Sequence, residues 1–548
     1  MAKQLKIPNR ISGVIIDPVQ KTRTGAEILI ENGKIASIEP RPEIKHPFII
    51  PGFIDAHVHI ESSMLIPSRF AVAAIKHGTV GVVTDPHEVA NVAGIDGIEF
   101  MISDAEDVPM GFYFGIPSCV PASPLEKSGA VITAEDVEKL ITNKDFYFLA
   151  EMMNFPGVLH DDEEVMKKLR LAKDNGKPID GHAPGLRGKD AEKYAKAGIA
   201  TDHECNTIEE AREKIELGMK VLIREGSAAR NFDTLIPLIN EHADMLMFCT
   251  DDCHPDYLMN GHINKVVHRA VKKGYDLFDV LKVACVNPVE HYNLPLGLLR
   301  QGDPADFVVV DDLMDFKVLE TWLKGKPVFK NEKLGFETEE NYPPPFPFRK
   351  TYQPGKLTVE VAGSQMNVME AIDGDLFTGW LVEDCNHGEE VKINTANDLL
   401  KIALLDRYSE DPPVVAFVKG FGLKRGAMAC SVAHDSHHII AVGCDDDSLD
   451  YALEWVVKHK GGMCFAVNAE ILGIPLPYFG LMSDADVSEM ASDYEKLSTL
   501  AKKNGSSLEA PFMTLSFMAL TVIPELKINH KGLFDGVAFR NISLFKDE

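Results

Sequence analysis

The stretch Ile54-Asp55-Ala56-His57-Val58-His59 reads as a buried strand that ends on two histidines. Residues two apart on an extended backbone point to the same side, so His57 and His59 can face one cavity and chelate one ion. Taken alone, the pair is as readily a packed core pair as a ligand pair. The chain downstream of it decides between the two. From about Pro51 to Leu294 a pattern of strand, loop and helix recurs at roughly thirty-residue spacing, the rhythm of successive βα units.

The further strands are expected at residues 79–84, 112–117, 146–153, 179–182, 200–203, 221–224 and 245–250. Amphipathic helices are expected between them, including 163–175, 190–197, 207–217 and one opened by the capping pair Thr133 and Asp136. Eight such units make a TIM-like (β/α)8 barrel the expected α/β fold, with its active site at the C-terminal strand ends. An open doubly wound sheet is the rival, but it would carry a phosphate loop at its switch point, and none is found.

Outside the barrel the rhythm changes. Short strands are expected at 13–16, 26–30 and 34–38, the last two joined by an Asn32-Gly33 hairpin turn. After the barrel, Gly302-Asp303-Pro304-Ala305-Asp306 leads into a strand at 307–310 that should return to pair with the N-terminal strands. Residues 1–50 and 296–345 therefore read as one composite β-sandwich flanking a metal-dependent barrel at 51–295. The run Pro343-Pro344-Pro345-Phe346-Pro347 reads as a linker to an additional α+β domain at 350–548.

A chain of 548 residues exceeds what one core usually organises, which agrees with several domains. Lys and Arg number 56 against 83 Asp and Glu, a net charge of -27 that disfavours nucleic acid and anionic membrane as partners. Nine dispersed cysteines without a CxxC pair suggest reduced thiols. The N-terminus carries no apolar run of signal-peptide length, and no stretch is long enough to span a bilayer. A cytoplasmic enzyme is expected.

The chemistry-bearing residues fall at or just past the strand ends. Glu151 ends the fourth strand in Leu149-Ala150-Glu151-Met152, where a carboxylate is costly to bury unless it is paired or holds a metal. His182 ends the fifth strand, His203 the sixth and Asp251 the eighth. Six such residues in register outweigh a structural reading of any one. Four imidazoles and two carboxylates suit Zn, Fe(II) or Mn without thiolates, so Cys249 and Cys253 are not needed. Glu151 could bridge two ions, with His57 and His59 on one and His182 and His203 on the other. Such a pair brings a shared water towards hydroxide near neutral pH. Asp251 beside it could carry the proton to a leaving group, an apparatus for hydrolysis. Its neighbour Asp252 should face the other way on an extended backbone.

This strand-end set, preceded by Ile50-Pro51-Gly52-Phe53-Ile54-Asp55 and followed by Gly302-Asp303-Pro304-Ala305-Asp306, resembles the amidohydrolase superfamily. Many members bridge their metals with a carboxylated lysine; Glu151 in that place is similar to the bacterial and archaeal adenine deaminase branch. His57-Val58-His59-Ile60-Glu61-Ser62-Ser63-Met64 and Thr84-Asp85-Pro86-His87-Glu88-Val89-Ala90-Asn91 look like that branch's first two strand-end signatures. Gly420-Phe421-Gly422-Leu423-Lys424-Arg425-Gly426-Ala427, Ser431-Val432-Ala433-His434-Asp435-Ser436-His437-His438, Leu476-Pro477 and Gly480-Leu481-Met482-Ser483-Asp484 resemble its C-terminal domain. The short segment ahead of the first strands departs from the branch.

The resemblance implies hydrolysis of adenine to hypoxanthine and ammonia; the six ligands imply two divalent ions per chain, Mn or Fe(II) ahead of Zn, and a homodimer is the ordinary assembly. The resemblance carries the metal role to His57, His59, Glu151, His182, His203 and Asp251, with Asp251 as proton carrier and Asp252 as runner-up. Glu61, Asp85, His87 and Glu88 are the expected substrate contacts, and some could only brace loops. His434, Asp435, His437 and His438 would form a lid, hold a further metal or lie in a solvated turn. The alternatives are another amidohydrolase reaction, on a different heterocycle or a cyclic amide, and an inactive barrel kept as a scaffold. Retention of all six ligand positions disfavours the scaffold.

Overall fold

The computed structural model describes residues 10–227, 229–339, 342–349, 351–385 and 388–546. Arg10–Asp17 pairs antiparallel with Thr22–Glu31, which pairs in turn with Lys34–Pro40. The turn between the last two is Asn32-Gly33, with φ of 51° and 78°. Positive φ at both positions gives a two-residue turn whose twist matches its flanking strands. Phe48–Pro51 lies parallel to the first strand and antiparallel to Phe307–Val310. With Val318–Leu323, Lys326–Lys330 and Lys333–Leu334 they form one eight-stranded sheet, so both flanks of the barrel meet there. Its buried face packs Ile28, Ile49, Phe307 and Trp322, the two rings stacked 5.4 Å apart.

Between the flanks run eight parallel strands: Phe53–His59, Thr79–Thr84, Gly111–Ile116, Phe146–Met152, Ile179–Gly181, Thr201–Asp202, Lys220–Arg224 and Leu246–Cys249. Nearly every position in them is buried, as helices on the outside and side chains within require. The first five form one ladder and the last three another. Two seams close the ring. At one, Ala200 N donates to Ile179 O at 2.8 Å. At the other, Asp251–Asp252 pairs with Val58 and His59, while Thr250 N donates to Asp55 Oδ1 at 3.0 Å.

The helix starts follow the local chemistry. Ala134–Leu140 carries both halves of the Thr133/Asp136 capping box. Glu163–Asp174 and Ile208–Glu216 begin on Asp162 and Thr207, whose side chains accept from Val165 N and Glu210 N. The fifth and sixth strands are shorter than expected, so His182 and His203 each sit one residue beyond the ladder.

After the Pro-rich segment comes a second eight-stranded sheet, from Gln365–Ala371 to Glu470–Pro475. Helix Asp446–Lys458 buries Leu449, Leu453 and Val456 against it. This region docks on the barrel: Ile66 N donates to Ser483 O at 3.1 Å and Ser483 N to Met64 O at 2.8 Å. All nine cysteines are free thiols, and among the described residues no helix is long and apolar enough to cross a membrane.

Candidate metal centre

Glu151 lies at the middle of the barrel mouth, fully buried, and divides its two oxygens between two histidine pairs. Oε1 faces the first pair, 3.3 Å from His59 Nε2 and 3.9 Å from His57 Nε2. Oε2 faces the second, 2.8 Å from His182 Nδ1 and 3.3 Å from His203 Nε2. Asp251 joins the first pair, its Oδ1 3.1 Å from His59 Nε2 and 3.8 Å from His57 Nε2. Ligand atoms of His57, His59 and Glu151, of His57, His203 and Asp251, and of Glu151, His182 and His203 all lie within 4.8 Å of one another in each group.

This donor set fits cations. His57 Nε2 and His59 Nε2 stand 3.2 Å apart, and the His59 ring is already oriented: its Nδ1 donates to the Asp85 carbonyl at 3.0 Å. A carbonyl can only accept, so the neutral ring presents a lone pair at Nε2, the usual arrangement of a ligating histidine. His182 Nε2 is buried without a hydrogen-bond partner. Burial holds His57 well below its ordinary pKa and His203 pushes the same way, favouring the neutral ligand form. At His59 burial also lowers the pKa, but hydrogen bonds to Asp251 and Glu151 outweigh it, so a cation would compete there with a proton. Burial pushes the Glu151 carboxyl up, yet His182 and the hydrogen bonds of the surrounding histidines hold it well below the usual range.

Asp251 has a second partner that sequence reasoning missed. The buried Arg224 guanidinium, at the end of the seventh strand, donates through Nη1 to both Asp251 Oδ2 and Glu204 Oε1. Burial would raise the Asp251 pKa, but Arg224 overrides it and keeps the carboxylate ionised. A charged residue closing the apolar run Val221-Leu222-Ile223 was the available signal, the same one that marks Glu151. Glu204, directly after His203, was missed with it.

The expectation that Asp252 faces away is corrected. Asp251 has φ of 55°, so the backbone is left-handed rather than extended there and the alternation of sides fails. Both carboxylates line the cavity, and Asp252 Oδ1 accepts from Ser62 Oγ at 2.5 Å. Of the expected substrate contacts, His87 and Glu88 line the cavity, whereas Glu61 and Asp85 are not among its lining residues. Glu61 Oε1 accepts from Val89 N at 3.0 Å, bracing the loop that carries Glu88. Asp85 holds His87 through its carboxylate, with Oδ2 3.1 Å from Nδ1.

The C-terminal region roofs this cavity, so barrel and roof residues line it together. Leu376, Phe517, Leu520 and Val522 supply an apolar ceiling, and His434 and Asp435 hang from it. His434 Nδ1 lies 2.6 Å from Glu88 Oε1, and His437 Nε2 contacts Glu88 Oε2. Ala433 N donates to His437 Nδ1 at 3.3 Å. The ligand atoms of Glu88, His434 and His437 lie within 4.8 Å of one another, so this trio is a further group that could hold an ion. His438 turns away, its Nδ1 3.4 Å from Asp406.

A barrel with buried imidazoles and carboxylates gathered at its strand ends defines a metal-dependent barrel hydrolase. Residues 48–328 match the amidohydrolase family, and residues 375–540 match the adenine deaminase C-terminal domain. Over 556 residues the chain is 48% identical to the adenine deaminase of Methanosarcina mazei, spanning 98% of this chain and 99% of that one. Over 540 residues it is 49% identical to the adenine deaminase of Salinibacter ruber, with the same coverage. Among solved structures, a dihydropyrimidinase from Brevibacillus agri shares 13% identity at a TM-score of 0.47, covering 60% of this chain and 97% of that one. The chain belongs to the amidohydrolase family and, within it, to the adenine deaminases.

Proposed function

We infer that this chain hydrolyses adenine to hypoxanthine and ammonia. The observation that carries the reading is the near-full-length identity to adenine deaminases, which spans barrel and roof together. The cavity chemistry supports it. Two divalent ions, which His57, His59, Glu151, His182, His203 and Asp251 would hold, would supply Lewis acidity and an activated water. Mn or Fe(II) suits these ligands ahead of Zn.

The chain's own groups do the rest. Oxygen adds at C6 of the purine and the C6–N6 bond breaks, so one proton of the water ends on ring N1 as the C6 carbonyl forms and the other must travel to the departing amine. Asp251, ionised and fixed by Arg224, is placed to take and return that proton. The apolar ceiling of Phe517, Leu520 and Val522 covers a planar ring and excludes bulk water. A homodimeric cytoplasmic enzyme of purine salvage completes the reading, and neither nucleic acid nor membrane is a partner. The test is ammonia release from a panel of purines and pyrimidines, with metal content measured on the same preparation. Adenine should be the preferred substrate with about two ions per chain; release from another heterocycle, or from none, overturns the reading.

A further inference from the structure

Asp435 is a carboxylate that the barrel does not explain. It descends from the C-terminal roof into the cavity, is 8% exposed, and its Oδ2 is buried with no hydrogen-bond partner. Its Oδ1 lies 3.9 Å from His87 Nε2, beyond hydrogen-bond reach. A buried oxygen acceptor left unpaired is costly, and native structures seldom leave one without a ligand or water to meet it. Burial pushes this carboxyl up to about 6, and the neighbouring His87 and His434 offset that only in part.

Its surroundings narrow what could meet it. The neighbouring roof is apolar: Leu376, Phe517, Leu520 and Val522 line the same cavity. Phe517 stacks on His434 with ring centroids 4.9 Å apart, which fixes an aromatic wall beside Asp435. The same cavity is lined by the donor set around Glu151. His87 bridges the two, with Nδ1 3.4 Å from Glu151 Oε1 and Nε2 on the Asp435 side. A flat ring whose reacting carbon faces Glu151 therefore turns its far edge towards Asp435. A free purine base offers an N–H on its five-membered ring, and a carboxylate is the complementary acceptor.

We propose that Asp435 is a specificity residue contributed by the C-terminal domain, accepting the imidazole-ring N–H of the purine. This rests on the reading that the chain deaminates adenine. It assigns the roof a role in recognition as well as in covering the cavity. It also gives a reason for preferring a free base: a nucleoside or an N9-alkylated purine has no ring N–H to give and leaves Asp435 unpaired.

The experiment compares adenine with 9-methyladenine, which lacks that N–H, in the metal-loaded wild-type enzyme and in Asp435→Asn. 9-Methyladenine is read as a substrate or, if it does not turn over, as a competitive inhibitor. The asparagine is nearly isosteric, so it opens no room for the methyl group. Loss of a charge-assisted hydrogen bond should raise KM for adenine roughly tenfold to a hundredfold, with kcat reduced less. The affinity for 9-methyladenine should change less than threefold, and metal content should stay at the wild-type level. Equal losses on both compounds, or loss of metal, would place Asp435 in support of His87 and overturn the proposal. Wild-type enzyme that releases no ammonia from adenine overturns the functional reading and this assignment together.

Discussion

Arg224 Nη1 donates to Asp251 Oδ2, so the carboxylate at the end of the eighth strand is held from the end of the seventh. The pair is buried, and both partners are about 5% exposed at the side chain. Removing one member of a buried ion pair leaves the other charged and unmatched, which costs about 3–5 kcal/mol. Arg224→Met should therefore lower the unfolding midpoint clearly and reduce turnover, because Asp251 and Glu204 would be left without their shared cation. Denaturant melts and activity of the same preparation give the answer. A variant as stable as wild type would show that the pair contributes no net stability.

Asp251 itself separates proton transfer from metal assembly. A positioned acid/base contributes roughly a hundred- to ten-thousand-fold in rate. Asp251→Asn should lose at least that much turnover while four histidines and Glu151 retain most of the metal. Asp252→Asn should cost less, since its carboxylate already accepts from Ser62 Oγ and braces the strand-end loop. The two variants are assayed side by side for turnover and metal. Should Asp252→Asn prove the inactive one, the proton-carrying role moves to Asp252.

Glu151 gives the complementary test. Because each carboxylate oxygen serves one histidine pair, Glu151→Gln keeps the shape but takes charge from both positions. Metal content and turnover should fall together, and excess metal should restore little. Full metal occupancy with near-normal turnover would assign the bridge to another group.

The barrel was legible because fully buried parallel strands are nearly continuous apolar runs, so a charge such as Glu151 at the end of Phe146–Met152 stands out. The same logic should have found Arg224, but a search by ligand type passes over a guanidinium that holds a ligand in place of a metal. The direction of Asp252 was misread for a different reason. It depends on the left-handed backbone at Asp251, and an aspartate in sequence does not announce φ of 55°. The roof contacts lay furthest from view. His434 meets Glu88 across 346 positions of chain, a pairing set by how two separately patterned regions dock. Local periodicity carries no record of that.

That docking has its own energetic signature. Glu88 sits on the barrel, yet it is gripped by His434 and His437 of the roof. Residues in one buried network are non-additive by about 0.5–3 kcal/mol. Glu88→Gln and His434→Gln should each lower kcat/KM, and the double variant should be little worse than either alone. A double-mutant cycle on kcat/KM and on the unfolding midpoint measures the coupling. Strict additivity would mean that the two side chains touch without acting together.

Lys527 ties the stability of the roof to pH. Its fully buried Nζ donates to Leu376 O at 2.7 Å and Phe517 O at 3.1 Å. Both carbonyls belong to residues that line the cavity roof. Neither carries a full charge, so burial dominates and brings the amine down to about 7, with Asp375 opposing only weakly. In the unfolded chain a lysine titrates near 10.4. Between those values the unfolded state binds the extra proton, so stability rises with pH, by at most about 1.4 kcal/mol per unit. Below about pH 7 both states hold the proton, and the full cost of burying the charge is present. Above about pH 10 neither state holds it, and the slope vanishes. Lys527→Met removes the titrating group while nearly keeping its volume. Urea midpoints of wild type and variant at about pH 7.5, 8.5 and 9.5 isolate the effect, because every other titrating group is common to both. The wild type should gain on the variant steadily across that range. Parallel curves would mean that Lys527 titrates in the folded protein much as it does in water, and that the roof carbonyls are held by a charged ammonium at every pH tested.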